Sequence, residues 1–189
     1  MALKRTTAPT VLPVSLVEAK AHLRVDSSDD DTLITALIWA ATEAAEQATG
    51  RAITPQTWVL TLDAFPDALE LTRIPAISVT SLVYADANGT NQTLSNTLYA
   101  LDAADDFSSA WVVPIYGGSW PTTRDQLNAV ALTYQAGYAD AASVPESIKA
   151  WIKLQVGAMY ENRQAETDRQ TFSLGYADRL LDRYKVWAL

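Results

Sequence analysis

The chain has no cysteine and a single histidine among its 189 residues. Without cysteine there are no disulfide staples, no thiolate metal sites and no cysteine nucleophile, a usage that fits a reducing compartment. One histidine, His22, builds no histidine-rich metal site, has no nearby serine partner, and reads as a surface or helix-end residue. Positive charge is scarce too: 14 Lys and Arg against 22 Asp and Glu leave a net charge of −8. Broad binding to a phosphate backbone needs clustered Lys and Arg, and that is missing. No uninterrupted apolar stretch reaches membrane-spanning length. Lys4 and Arg5 are followed by Thr, Ala and Pro rather than the apolar core of a signal peptide, so a soluble chain is expected. Also missing are G-x-S-x-G, G-x-x-x-x-G-K-[ST] and G-x-G-x-x-G, which removes the commonest motif-bearing enzymes.

What is present is apolar: 49% of the residues, enough to build a core and too many for wholesale disorder. The clearest pattern is Val144–Arg163. Pro145 suits a first helical position and Glu146 the positive helix end. Ile148, Trp151, Ile152, Val156, Met159 and Tyr160 then recur with amphipathic period, while Lys149, Lys153, Glu161 and Arg163 take the other face. Each such side chain contributes about 1.5–3 kcal/mol when fully buried, so this core helix needs an apolar partner, and Gly157 would let it come close. Leu33, Ile34, Leu37, Ile38, Ala41, Ala44, Ala45 and Ala48 supply one, ending at Gly50. Before it, Ser15 and Glu18 form a capping box for a short helix.

Residues 1–14, with Pro9 and Pro13, read as an extended, mobile arm. In the middle the period changes to two. Strands are expected at Thr57–Asp63, Leu69–Leu71, Val79–Tyr84, Thr90–Leu94, Leu98–Leu101, Trp111–Pro114 and Ala129–Tyr134, with a hairpin at Asn88-Gly89 and a loop at Gly117–Pro121. After Arg163 a polar linker leads to an amphipathic tail. The expected fold is therefore α+β and mainly helical. Helices 15–23, 29–49 and 145–163 form an antiparallel bundle, with a small β region (57–134) inserted between the second and third. Residues 15–163 make the domain, and 164–189 a linker with a C-terminal helical segment.

Chemistry is thin. Asp26, Asp29, Asp30 and Asp31 depart from an EF-hand loop: glycine is missing at position six, and Leu37 stands where the bidentate Glu belongs. Charge favouring a helix start is the simpler reading. Asp102, Asp105 and Asp106 read as a solvated loop. A metal-dependent enzyme built from these clusters remains the alternative of a different class. No catalytic residue, metal ligand or cofactor is assigned. Trp111, Tyr116, Trp120 and Tyr138 gather around the glycine-rich loop, either as local packing or as a subunit interface, where aromatic residues are enriched. Tyr184 and Trp187 pose the same choice, which leaves open a protein-binding module with an apolar tail.

Several stretches together resemble the head–tail connector (adaptor) proteins of long-tailed bacteriophages, prophages and gene transfer agents. They are Val14–Asp26 with the acidic run and helix that follow, Thr49-Gly50-Arg51, Pro55-Gln56-Thr57-Trp58, Gly117–Pro121, Ala136-Gly137-Tyr138, Val144–Lys149 and Tyr160–Arg163. Their order and spacing, rather than any one motif, carry the resemblance over residues 14–189. It implies a structural protein, not an enzyme, at the head–tail junction of a particle, held in the host cytoplasm before assembly. It implies a ring under the portal, dodecameric in the particle and able to wait as a monomer, which extends the DNA channel toward a stopper or tail-completion protein. By resemblance Phe172, Leu180, Leu181, Tyr184, Trp187 and Leu189 would dock on the portal, and the loop around Tyr116 would face a neighbour or the tail. An acidic lumen would let DNA pass without specific binding.

Overall fold

The computed structural model describes residues 1–104, 109–162 and 175–186. Its helices are α1 (Leu16–Leu23), α2 (Asp31–Thr49), α3 (Glu146–Glu161) and α4 (Gly175–Asp182). Its strands are β1 (Ala2–Thr7), β2 (Gln56–Leu62), β3 (Leu69–Leu71), β4 (Ala76–Ala85), β5 (Asn91–Thr93), β6 (Tyr99–Asp102), β7 (Ala110–Pro114) and β8 (Val130–Ala136). The expectation of a mainly helical bundle with a small β insertion is overturned. Among the described residues helix accounts for 29% and strand for 27%, in two antiparallel sheets, so the fold is α+β with neither class dominant. The helices are long and strongly periodic, whereas the sheets are summed from short strands scattered along the chain, so reading element by element undercounts them.

The larger sheet has the order β1-β2-β8-β4-β5 and the smaller β3-β7-β6. The hairpin at Asn88-Gly89 joins β4 to β5. Gly89 takes φ +83, and the Asp86 carboxylate accepts the amides of Asn88 and Thr90 at 2.9 and 3.0 Å. The segment expected to be a mobile arm is tied down at both ends. Ala2–Thr7 pairs with β2 as an edge strand, and Val14 is fully buried in the helical layer. Pro9 and Pro13 punctuate this path without freeing it.

Two cores result. Leu60, Leu82, Leu132 and Tyr134 centre the sheet core, with Leu69, Leu71 and Val112 from the small sheet. Ile34, Ile38, Ala41 and Ala45 of α2 meet Ile148, Ile152 and Val156 of α3 in the helical one. Consecutive buried residues Ala52 and Ile53 enter one core each and join them. Ser15 completes the capping box of α1: its hydroxyl accepts the Glu18 amide, and Glu18 accepts the Ser15 amide at 2.8 Å. Gly157 does not face α2. A Cβ there would lie 3.6 Å from His22 on α1, an ordinary contact, so close approach of α2 and α3 rests on the alanines instead.

Glu46 couples helix to sheet. Its Oε1 accepts the Ile53 amide at 2.8 Å and Gln56 Nε2 at 2.6 Å, and Oε2 lies 3.8 Å from Arg5 of β1. Arg73 donates to the Glu46 carbonyl at 3.4 Å and stacks 5.1 Å over Trp58. Burial pushes the Glu46 carboxyl above its ordinary value, against those hydrogen bonds and cations. Because the folded pKa is the higher one, the stabilisation linked to Glu46 is complete below the ordinary carboxylate range and is lost as pH rises through the folded pKa. Glu46→Gln is expected to remove that part of the pH profile. Urea midpoints from mildly acidic to neutral pH test this, and a wild-type-minus-variant difference that does not fall with pH would refute it.

Candidate interaction surfaces

The C-terminal segment is anchored in its own domain. Thr49-Gly50-Arg51 closes α2: Gly50 takes φ +75, and its amide donates to Glu46 at 2.9 Å. From there Thr49 accepts the Val186 amide at 2.8 Å, and the wholly buried Arg51 donates from Nε to the Tyr184 carbonyl at 2.5 Å. The Arg51 guanidinium lies 6.0 Å from the Tyr184 ring. Leu181 is buried in the helical core, and Leu180 and Tyr184 pack beside it. Three of the six residues expected to dock on a portal thus face their own domain. Phe172, Trp187 and Leu189 lie outside the described residues. The outer side of α4 shows Tyr176, Arg179 and Asp182 to solvent. Leu181→Asp is expected to free this segment without unfolding the domain, because it breaks contacts at one edge of the core only. Faster proteolysis confined to residues beyond 162, at a nearly unchanged main melting transition, would show it.

The four aromatic residues expected to form one surface are separated. Trp120 stacks on Phe65 with ring centroids 4.8 Å apart, and its indole donates to the Asp67 carbonyl at 3.2 Å. Tyr138 packs on the helical core. Both therefore have local roles. Trp111 and Tyr116 are exposed, on β7 and in the turn that follows it.

The acidic residues do not assemble. Asp30 accepts from the Tyr160 hydroxyl at 2.5 Å, Asp31 pairs with Lys20 at 2.6 Å, and Asp26 and Asp29 are exposed. Asp102 ends β6, far along the chain, and Asp105 and Asp106 lie outside the described residues. Among the described residues, no three His, Asp or Glu side chains are placed to hold a metal ion. No described helix is long and apolar enough to cross a membrane. Sequence reasoning missed the buried Arg51 and the pairing of β1. An Arg directly after a helix-ending glycine, and alternating inward Leu3 and Arg5, were the available signals.

A helical layer and two antiparallel sheets, with Trp111 and Tyr116 exposed, define the fold. The chain matches, over residues 13–104, the family model of the phage gp6-like head-tail connector proteins. It is a structural connector protein and not an enzyme. No curated protein matches the sequence. Among solved structures, the fold is similar to a chain in the neck of an empty gene transfer agent particle computed with C6 symmetry. The TM-score is 0.81 at 22% identity, covering 100% of this chain and 97% of that one. A chain in the virion of a native gene transfer agent particle gives 0.79 at 21% identity, with the same coverage. One in the neck of a native particle computed with C12 symmetry gives 0.74 at 23%, again with that coverage.

Proposed function

We propose that the chain forms a ring at the head–tail junction of a phage-like particle, beneath the portal, where it extends the DNA channel toward a stopper or tail-completion protein. The supporting observation is the fold shared, over the whole chain, with neck proteins of gene transfer agent particles solved with C6 and C12 symmetry. The connector family match over residues 13–104 agrees with it. In this reading a twelve-fold ring surrounds DNA that slides, because a chain of net charge −8 gains little from counterion release. The portal contact falls to the C-terminal segment. Leu180, Leu181 and Tyr184 hold α4 on the body, and in this reading Phe172, Trp187 and Leu189 are the residues assigned to the portal contact.

Light scattering of the chain alone and mixed with the portal of the same particle tests this. The expected result is a complex of ring mass with the portal, lost when the chain is cut before Phe172. A monomer that ignores the portal would overturn the reading.

A further inference from the structure

The small sheet carries apolar residues on both faces. On β7, Ala110 and Val112 point into the core, and Trp111, Val113 and Ile115 take the opposite side. Register sets Asp102 of β6 beside Trp111, and the Ile115 amide donates to the Leu98 carbonyl at 3.2 Å, so Leu98 extends the same outer face. Trp111, Ile115 and Leu98 are 39%, 41% and 48% exposed. An antiparallel sheet facing water carries polar residues on that side. Exposed apolar residues gathered on one face mark a contact surface, and Asp102 and Glu70, in register on either side of Trp111, give this one negative edges.

A complementary surface lies on α1. Val17, Lys20, Ala21 and Arg24 follow the i, i+3, i+4, i+7 spacing of one helix face and, with Leu16 and Val25, line a groove of about 600 Å³. Val17 is 76% exposed. Lys20 is held by Asp31, whereas the Arg24 side chain has no hydrogen-bond or ion-pair partner among the described residues. The groove is therefore apolar with a rim of mixed charge, on which Lys20 is paired with Asp31 and Arg24 stands beside the exposed Asp26. Asp31, at the start of α2, lines it. Gly50, at the other end of α2, shares a cavity with Glu70 of the small sheet and with Ser109, the residue before β7. A helix of 19 residues spans about 28 Å, so the two surfaces sit a helix length apart and cannot cover each other within one chain.

Two different, complementary surfaces far apart on one molecule make a head-to-tail contact between copies, and such contacts give a ring when the rotation closes. We propose that the outer face of the small sheet of one copy seats in the α1 groove of the next, with Asp102 against Arg24. The inference rests on the ring reading above and names the surfaces that build it.

The lack of cysteine makes the test clean. Chains carrying Arg24→Cys and Asp102→Cys together are oxidised at high protein concentration, alone and with the portal, and run under denaturing, non-reducing conditions. The expected result is a ladder of covalent multimers, with nothing above a dimer from either single variant. Arg24→Asp and Asp102→Arg should each lower the assembled fraction about tenfold or more, and together restore it. Arg24 takes φ +58, a conformation Asp tolerates, and both sites are exposed, so unchanged melting of each variant serves as the folding control. Rings that form without a ladder and without charge-swap rescue would overturn this interface and leave the ring reading standing. A chain that stays monomeric in both settings would overturn both.

Discussion

Gly137→Ala is expected to lower the stability of the domain by on the order of 3 kcal/mol, through backbone strain and a clash acting together. Gly137 follows β8 with φ +126, a region closed to residues with a Cβ. An added Cβ would lie 2.4 Å from the Thr54 carbonyl oxygen and 2.8 Å from the Pro55 nitrogen. Both obstacles are main chain and cannot swing aside. Gly137 also donates to Pro75 at 2.9 Å, and the next amide, Tyr138, donates to Ile53 at 3.1 Å. Any shift that relieves the clash therefore strains the crossing from sheet to helical layer. Urea unfolding followed by tryptophan fluorescence measures the loss. A change below about 1 kcal/mol would mean that this crossing is far softer than its geometry implies.

Leu132→Ala and Ile152→Ala should each cost about 2–5 kcal/mol, the range for deleting a buried aliphatic side chain and leaving a cavity. Leu132 sits on β8, between Leu60 of β2 and Leu82 of β4 in direct register. Ile152 lies in the middle of α3, against α2. Both are wholly buried, in different cores. The more informative prediction is that both variants lower one shared transition. Ala52 and Ile53 place neighbouring residues in the two cores, and Glu46 binds the strand side through Ile53 and Gln56. Two transitions, each sensitive to only one variant, would show that the layers fold separately. Calorimetry alongside the urea titration distinguishes the cases.

The connector reading and the aromatic residues teach different lessons about legibility. The family could be reached from dispersed stretches because their order reflects a shared fold, and the family model covers residues 13–104 of that order. The candidate surface could not be assembled in the same way. Trp120, a strong candidate by composition, is taken up by Phe65 and Asp67, and Tyr138 by the helical core. Trp111 stays outside because β7 has apolar residues on both faces. Its run AWVVPI lacks the alternation of a half-exposed strand, and that was the available signal. The apolar side of α4 was likewise read as a docking face. Whether its partner was another protein or its own domain depended on where Arg51 and Thr49 end up in space.

The sequence by itself determined the local elements: the capping box at Ser15, the alanine-lined α2 ending at Gly50, the period of α3 and the Asn88-Gly89 hairpin. It determined too that cysteine and histidine-cluster chemistry are excluded. Those follow from neighbours within a few residues, where side-chain spacing and backbone preference act directly. Only the tertiary structure decided that Ala2–Thr7 joins a sheet with a strand more than fifty residues away, and that the order is β1-β2-β8-β4-β5. It alone decided that α4 packs on its own domain and that an apolar sheet face is left uncovered. A periodic pattern fixes which face of an element is apolar. Which surface covers that face is settled by the burial available to the whole chain at once.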